Sequence, residues 1–205
     1  MIWRPIRSGL AGAKVRLREI DSTDRHTLAR FDRDSGSSVG GFQHWAAHRA
    51  CPGDAAQYVI ETVHSRLVVG SMWVVQAGPR TGWFSYGIGI GSAHRRCGYA
   101  SDAISVLLGH MFTDRGYRTC EVSVHGGNLA SLTLHGALGF LERSRLRDTE
   151  LRPGSVNYVV QLGIEAAQFT GLPVHRTALR PMAMAGRGRH WRRRRGRHWQ
   201  VQHLR

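Results

Sequence analysis

Apolar and polar positions alternate over Lys14–Ile20, where Val15 and Leu17 are set against Lys14, Arg16 and Arg18. A period of two predicts a half-buried strand. Asp21-Ser-Thr-Asp24 then offers a helix start, and Leu28 and Phe31 fall at helical spacing through about Arg33. Residues 34–41 are Gly- and Ser-rich and read as loop. A short helix is expected over Gln43–Arg49, before Cys51-Pro-Gly-Asp54 breaks the pattern. Three strands follow, over Tyr58–Val63, Leu67–Gln76 and Trp83–Ile90. The segments between them, His64-Ser-Arg66 and Ala77–Gly82, are short enough for antiparallel hairpins. The third strand runs out in Gly87-Ile-Gly-Ile-Gly91. Glycines inside a strand mark a bulge or a place where a ligand or a second backbone comes close.

The period then changes. Ala100, Ile104, Leu107, Leu108, Met111 and Phe112 lie on one helical face, and Gly116 ends the helix. A strand is predicted over Arg118–Val124. Asn128 opens a second amphipathic helix carrying Leu132 and Leu138, with Gly139 at its C-cap and Phe140 just beyond. Two last strands, Glu142–Arg147 and Val156–Ile164, flank a loop containing Arg152-Pro-Gly154. Strands alternating with helices predict an α/β (α+β) domain, with residues 1–13 as an N-terminal extension, 14–165 as the domain and 166–205 as a tail.

Composition adds three constraints. With 205 residues, 41% of them hydrophobic, the chain has material for one ordinary core. No apolar run of about 18 residues predicts a membrane span, and the first residues lack the apolar stretch of a secretory signal. Cys51, Cys97 and Cys120 are odd in number and widely spaced, so a reduced, cytoplasmic protein is expected. No metal centre is expected either: His44 and His48 lie four apart but have no third ligand in view.

Charge divides the chain. Of its net +15, residues 1–165 carry 19 basic groups and all 14 acids, a balance of +5. Residues 166–205 carry ten Arg and no acid. Within them Gly188-Arg-His-Trp191 recurs as Gly196-Arg-His-Trp199 around Arg192–Arg195. Such a composition has no core to bury and reads as disordered when free. Residues 186–199 are a candidate for weak nucleic-acid contact, through arginine on phosphate and tryptophan on bases; an inert solvated extension is the other reading.

The chemistry concentrates at Arg95-Arg-Cys-Gly98-Tyr-Ala100, where a basic loop enters a helix directly after the Gly-rich strand. A helix N-terminus presents unpaired N–H groups and a positive dipole end, and Gly98 with Ala100 lets a ligand approach the backbone. This is an anion site suited to phosphate or diphosphate. It lacks the Gly-Lys-Ser/Thr of a nucleotide-hydrolysing loop and the full dinucleotide fingerprint.

Arg95-x-x-Gly98-x-Ala100, together with Asn128-Leu-Ala-Ser131-Leu-Thr-Leu-His135-Gly-Ala-Leu-Gly139-Phe140, resembles the paired motifs of the GNAT superfamily of acyl-coenzyme A-dependent N-acyltransferases. The likeness covers roughly residues 14–164. Ser101-Asp-Ala103 and Arg145-x-Arg147-Asp148 look most like the branch holding ribosomal-protein N-terminal acetyltransferases and many small-molecule acetyltransferases. The resemblance implies a mixed sheet of about six to seven strands, splayed where acyl-coenzyme A binds. It also implies acetyl-coenzyme A as co-substrate, a primary amine as acceptor, and direct attack without a covalent enzyme intermediate. Coenzyme contacts would come from Ile88, Gly89 and Ile90 on the strand, from Arg95, Arg96, Cys97, Gly98, Tyr99, Ala100 and Ser101 at the loop, and from Asn128 at the pantetheine. The superfamily usually has Tyr where this chain has His135; either His135 or Ser131 would protonate the leaving thiolate. Many relatives carry Glu where this chain has Ser85, so the base falls to Glu121, Tyr86, His125 or a water chain. Asp102 reads as a helix-dipole residue, and Phe42 and Trp45 as core aromatics or acceptor-pocket walls. The alternative is a catalytically weak coenzyme-binding module with a nucleic-acid-binding tail. Both monomer and homodimer remain open.

Overall fold

A computed structural model describes residues 10–34, 55–76, 82–147 and 158–171. The elements run β1 (Leu10–Ala11), β2 (Val15–Glu19), α1 (Asp24–Asp34), β3 (Ala55–Thr62), β4 (Val68–Gln76), β5 (Trp83–Ile90), α2 (Tyr99–Gly109), β6 (Thr119–His125), α3 (Leu129–Ala137), β7 (Leu141–Arg147) and β8 (Tyr158–Glu165). One mixed sheet orders its strands β1-β2-β3-β4-β5-β6-β8-β7. Every pairing is antiparallel except β5 with β6. The sheet thus has eight strands rather than six or seven. The addition is the two-residue β1, which lies in the stretch assigned to the N-terminal extension and is too short to show a period. The short helix expected at Gln43–Arg49, with His44, His48, Phe42 and Trp45, lies outside the described residues, as do Cys51 and residues 172–205.

The period-two pattern of β2 puts Val15 and Leu17 on one face. Register carries that face through Tyr58, Ile60, Met72, Val74 and Tyr86. The apolar stripe of α2 covers it, with Ile104, Leu107, Leu108 and Met111 all buried in the same cluster. The last turn of this helix widens into a π-helical turn, His110–Asp114, which seats Met111 in the core.

The opposite face of β2 is charged. Glu61, directly across from Arg16, accepts hydrogen bonds from the guanidinium groups of Arg16 and Arg18. Arg18 also forks onto both oxygens of Asp24, at 2.8 Å each. The carboxylates of Glu61 and Asp24 are 4% and 3% exposed. These buried charges are fully paired, as burial requires, and they fasten α1 to the sheet.

Candidate active site

The anion loop is shaped by two positive φ angles. Arg96 takes φ +64° and Gly98 takes φ +78°. Left-handed residues alternating with right-handed or extended ones turn successive amides toward one concavity. Gly98 is the N-cap of α2 and offers no side chain to the first amides of the helix. The ladder of α2 is first engaged where the Asp102 N–H reaches the Gly98 carbonyl. The N–H groups of Tyr99, Ala100 and Ser101 precede it and point out of the helix end. Arg95, Arg96 and Cys97 are exposed around them.

Next to this loop the sheet opens. The parallel ladder of β5 and β6 consists of Trp83↔Thr119 and Phe84↔Cys120, and there it stops. Beyond it β6 continues to His125 against β8. The side of β5 facing the opening follows from register. The Gly91 N–H donates to the Val69 carbonyl on β4, so Gly89 and Gly87 also turn their amides to β4 in alternate pairs. Tyr86, Ile88 and Ile90 therefore turn theirs to the opening. The Ile90 carbonyl there accepts from Arg95 Nε at 3.3 Å. Of the three strand positions singled out by resemblance, Ile88 and Ile90 present backbone donors to the gap, and Gly89 does not. Gly87 is required for packing: a β carbon there would fall 2.0 Å from the indole nitrogen of Trp73, its partner across the ladder.

Helix α3 starts just past the end of β6 and reaches back to β5 through His135 and Tyr86. Asn128 is its N-cap, and its side-chain oxygen accepts the Ser131 N–H at 3.1 Å. That bond makes Asn128 a support for Ser131. His135, one turn on, is 3% exposed, not solvent-facing. Its Nδ1 lies 2.7 Å from the Ser131 carbonyl, which accepts only, so Nδ1 carries the hydrogen and donates. Its Nε2 then accepts from the Tyr86 hydroxyl at 2.9 Å. The Ser131 hydroxyl is 3.3 Å from Nδ1. Burial lowers the His135 pKa against the opposing pull of the Ser131 bond, which keeps the ring neutral. Burial also pushes the Tyr86 phenol well above its ordinary value. Both ring nitrogens and the phenol proton are thus committed, and Phe140 closes the cluster edge-on to His135 at 5.0 Å between ring centroids.

Tyr86 therefore leaves the set of candidate bases. Ser85 and Glu121 are each one residue past the last β5–β6 pair, on the sheet face opposite Phe84 and Cys120. Glu121 is exposed there, and His125 is half-buried at the far end of β6. Sequence reasoning missed what Asp102 does. Its carboxylate accepts the backbone N–H groups of Ala13, Lys14 and Val15, at 3.1, 2.7 and 2.8 Å. It also missed Lys14, whose Nζ donates to the Cys97 carbonyl at 2.8 Å. No local signal announces contacts between segments nearly ninety residues apart. Among the described residues no group of three His, Cys, Asp or Glu is placed to hold a metal, and no helix is long and apolar enough to cross a membrane.

A mixed sheet parted between two parallel strands, with an anion cradle heading the helix that connects them, is the layout of an acetyltransferase-type domain. The family model for the acetyltransferase (GNAT) domain matches residues 14–141. The chain belongs to the GNAT acetyltransferase family. It is 24% identical over 102 residues to the SPbeta prophage-derived uncharacterized N-acetyltransferase YokL of Bacillus subtilis, covering 50% of this chain and 58% of that protein. It is 25% identical over 119 residues to the uncharacterized N-acetyltransferase p20 of Bacillus licheniformis, covering 58% and 67%. The chain thus spans little more than half the length of the first of these relatives. In fold it is similar to the spermidine N-acetyltransferase of Vibrio cholerae solved with CoA and spermine, at TM-score 0.62 and 15% identity, covering 75% of this chain and 96% of that one.

Proposed function

We propose that the protein transfers an acetyl group from acetyl-coenzyme A to a primary amine by direct attack within a ternary complex. One observation carries this reading. The backbone donors of β5 are turned into a gap that the anion loop heads. These residues fit an acyl-coenzyme A. The amides from Arg96 to Ser101, with Arg95 and Arg96, suit its diphosphate. Ile88 and Ile90 suit the pantetheine and thioester as hydrogen-bond donors along an extended chain.

Acetyl-coenzyme A supplies the activated acetyl group as a thioester. The Ile88 N–H donates to the acetyl oxygen and stabilises the charge that grows there, an effect worth about 3 kcal/mol for a preorganised donor. The new C–N bond forms as the C–S bond breaks, and the Ser131 hydroxyl passes its proton toward the departing sulfur while taking one from solvent water. Ser131 is preferred to His135 because the imidazole has no proton to give: Nδ1–H is held by a carbonyl and Nε2 already accepts. His135 instead donates to Ser131 and positions it. Glu121 receives the proton of the attacking amine, taking from β6 the part that Ser85 on β5 cannot play. Alignment of two bound reactants supplies much of the rate.

The acceptor is a small-molecule amine or a protein N-terminus. Release of free thiol from acetyl-coenzyme A, assayed with polyamines, peptides and aminoglycosides, tests the reading. Turnover with one amine class is expected, with Ser131→Ala lowering kcat about a hundredfold at nearly unchanged KM for acetyl-coenzyme A. Turnover with no amine contradicts the assignment.

A further inference from the structure

The anion loop has a neighbour from a distant part of the chain. The turn between β1 and β2 is tight, with the Gly12 N–H bonded to the Val15 carbonyl at 2.8 Å. It is fastened to the first turn of α2 by the three N–H bonds to Asp102. Gly12 permits this docking, since a β carbon there would lie 2.5 Å from an Asp102 oxygen. The backbone of Lys14 is thereby fixed beside the helix end, and its side chain reaches over the loop to the Cys97 carbonyl. The ammonium sits where a β carbon on Gly98 would come, at 2.7 Å. Gly98 is thus needed twice, for its positive φ and for the room it leaves Lys14.

We infer that the Lys14 ammonium is a third phosphate-binding cation of this loop, acting beside Arg95 and Arg96 on the phosphate end of the coenzyme; this rests on the coenzyme reading above. An ammonium has three donors, and the Cys97 carbonyl takes one of them. The one acid in the first turn of α2, Asp102, has its charge turned to three N–H groups on the side of the turn. The loop therefore offers a diphosphate or a phosphate monoester the helix end and three cations. Lys14 is also the only lysine in a chain with 28 arginines. That makes it addressable by chemistry selective for amines.

Equilibrium binding of coenzyme A to the full-length protein, to Lys14→Gln and to Lys14→Arg tests this, at low and high salt and again with dephospho-coenzyme A. Lys14→Gln is expected to bind coenzyme A about tenfold more weakly at low salt, the loss of one charge-assisted hydrogen bond. The deficit should shrink as salt rises, and Lys14→Arg should bind within about threefold of wild type. A deficit that persists with dephospho-coenzyme A places the ammonium on the diphosphate. One that vanishes places it on the 3′-phosphate. Either supports the inference. Equal affinity of Lys14→Gln and wild type for coenzyme A at low salt overturns it while leaving the coenzyme reading intact. Wild-type protein that binds no coenzyme A overturns that reading and this inference together. Should Lys14→Gln fail to fold, wild-type protein carries the test: coenzyme A should slow acetylation of Lys14 by an amine-reactive reagent, and an unchanged rate overturns the inference.

Discussion

Asp102 separates two accounts of the same residue by magnitude. From the sequence it is an acid near the positive end of α2, a contribution of about 0.3–1 kcal/mol. In the structure its carboxylate also accepts three backbone N–H groups from Ala13, Lys14 and Val15. A charge-assisted hydrogen bond contributes about 1.5–3 kcal/mol when buried. Two of these three are exposed and one is half-buried, so about 0.5–1 kcal/mol each for Ala13 and Lys14 and about 1.5 kcal/mol for Val15 are reasonable. Asp102→Ala should therefore cost about 3 kcal/mol. For a domain of this size that lowers Tm by about 6–12 °C, whereas the dipole alone gives about 1–4 °C. Asp102→Asn should fall between, because one oxygen can still serve Lys14 and Val15 while the amide meets the Ala13 N–H. Thermal unfolding followed by circular dichroism at one pH and salt concentration measures this. A loss below about 3 °C for Asp102→Ala refutes the clasp, and with it the anchoring of the turn that carries Lys14.

Two further perturbations test the buried polar clusters. Burial holds the His135 pKa below its ordinary value, so between the two values the unfolded chain binds more protons than the folded one. The stability due to neutral His135 is complete above about pH 7 and is lost as pH falls below about 6.5 toward the folded value. In urea titrations wild type should lose stability between pH 7 and pH 5 more steeply than His135→Phe, by up to about 1.4 kcal/mol per pH unit; parallel curves would contradict the buried neutral ring. Glu61→Gln should cost about 2–3 kcal/mol, since Arg16 and Arg18 lose a buried counter-charge but stay partly hydrated. Breaking the exposed Glu142–Arg145 pair by Arg145→Ala should leave the midpoint unchanged.

The elements were legible because their periods are local. Val15 and Leu17 against Arg16 and Arg18, and the stripe from Ile104 to Met111, each state a face without reference to the rest of the chain. Asn128 and Gly139 mark the ends of α3 because capping depends on backbone geometry within a turn. The gap between β5 and β6 was legible in the glycines that border it and in the family resemblance, not in any period. What stayed hidden is the company each residue keeps across the fold. Leu132, His135 and Leu138 are three apart, a spacing that places the imidazole on the apolar face of α3. Yet nothing in the helix names Tyr86, 49 residues earlier, as its partner. That partner is what commits the Nε2 atom of His135 as an acceptor. Asp102 and Lys14 likewise meet across more than eighty residues, and a residue type cannot announce such a contact.

A crystal structure of the protein with a non-hydrolysable acetyl-coenzyme A analogue tests the central claim most directly. The account predicts the diphosphate over the amides of Arg96–Ser101, the acyl oxygen within hydrogen-bond distance of the Ile88 N–H, and the sulfur facing the Ser131 hydroxyl. An analogue bound away from the β5–β6 opening, or seated there with its acyl oxygen turned from β5, would contradict it.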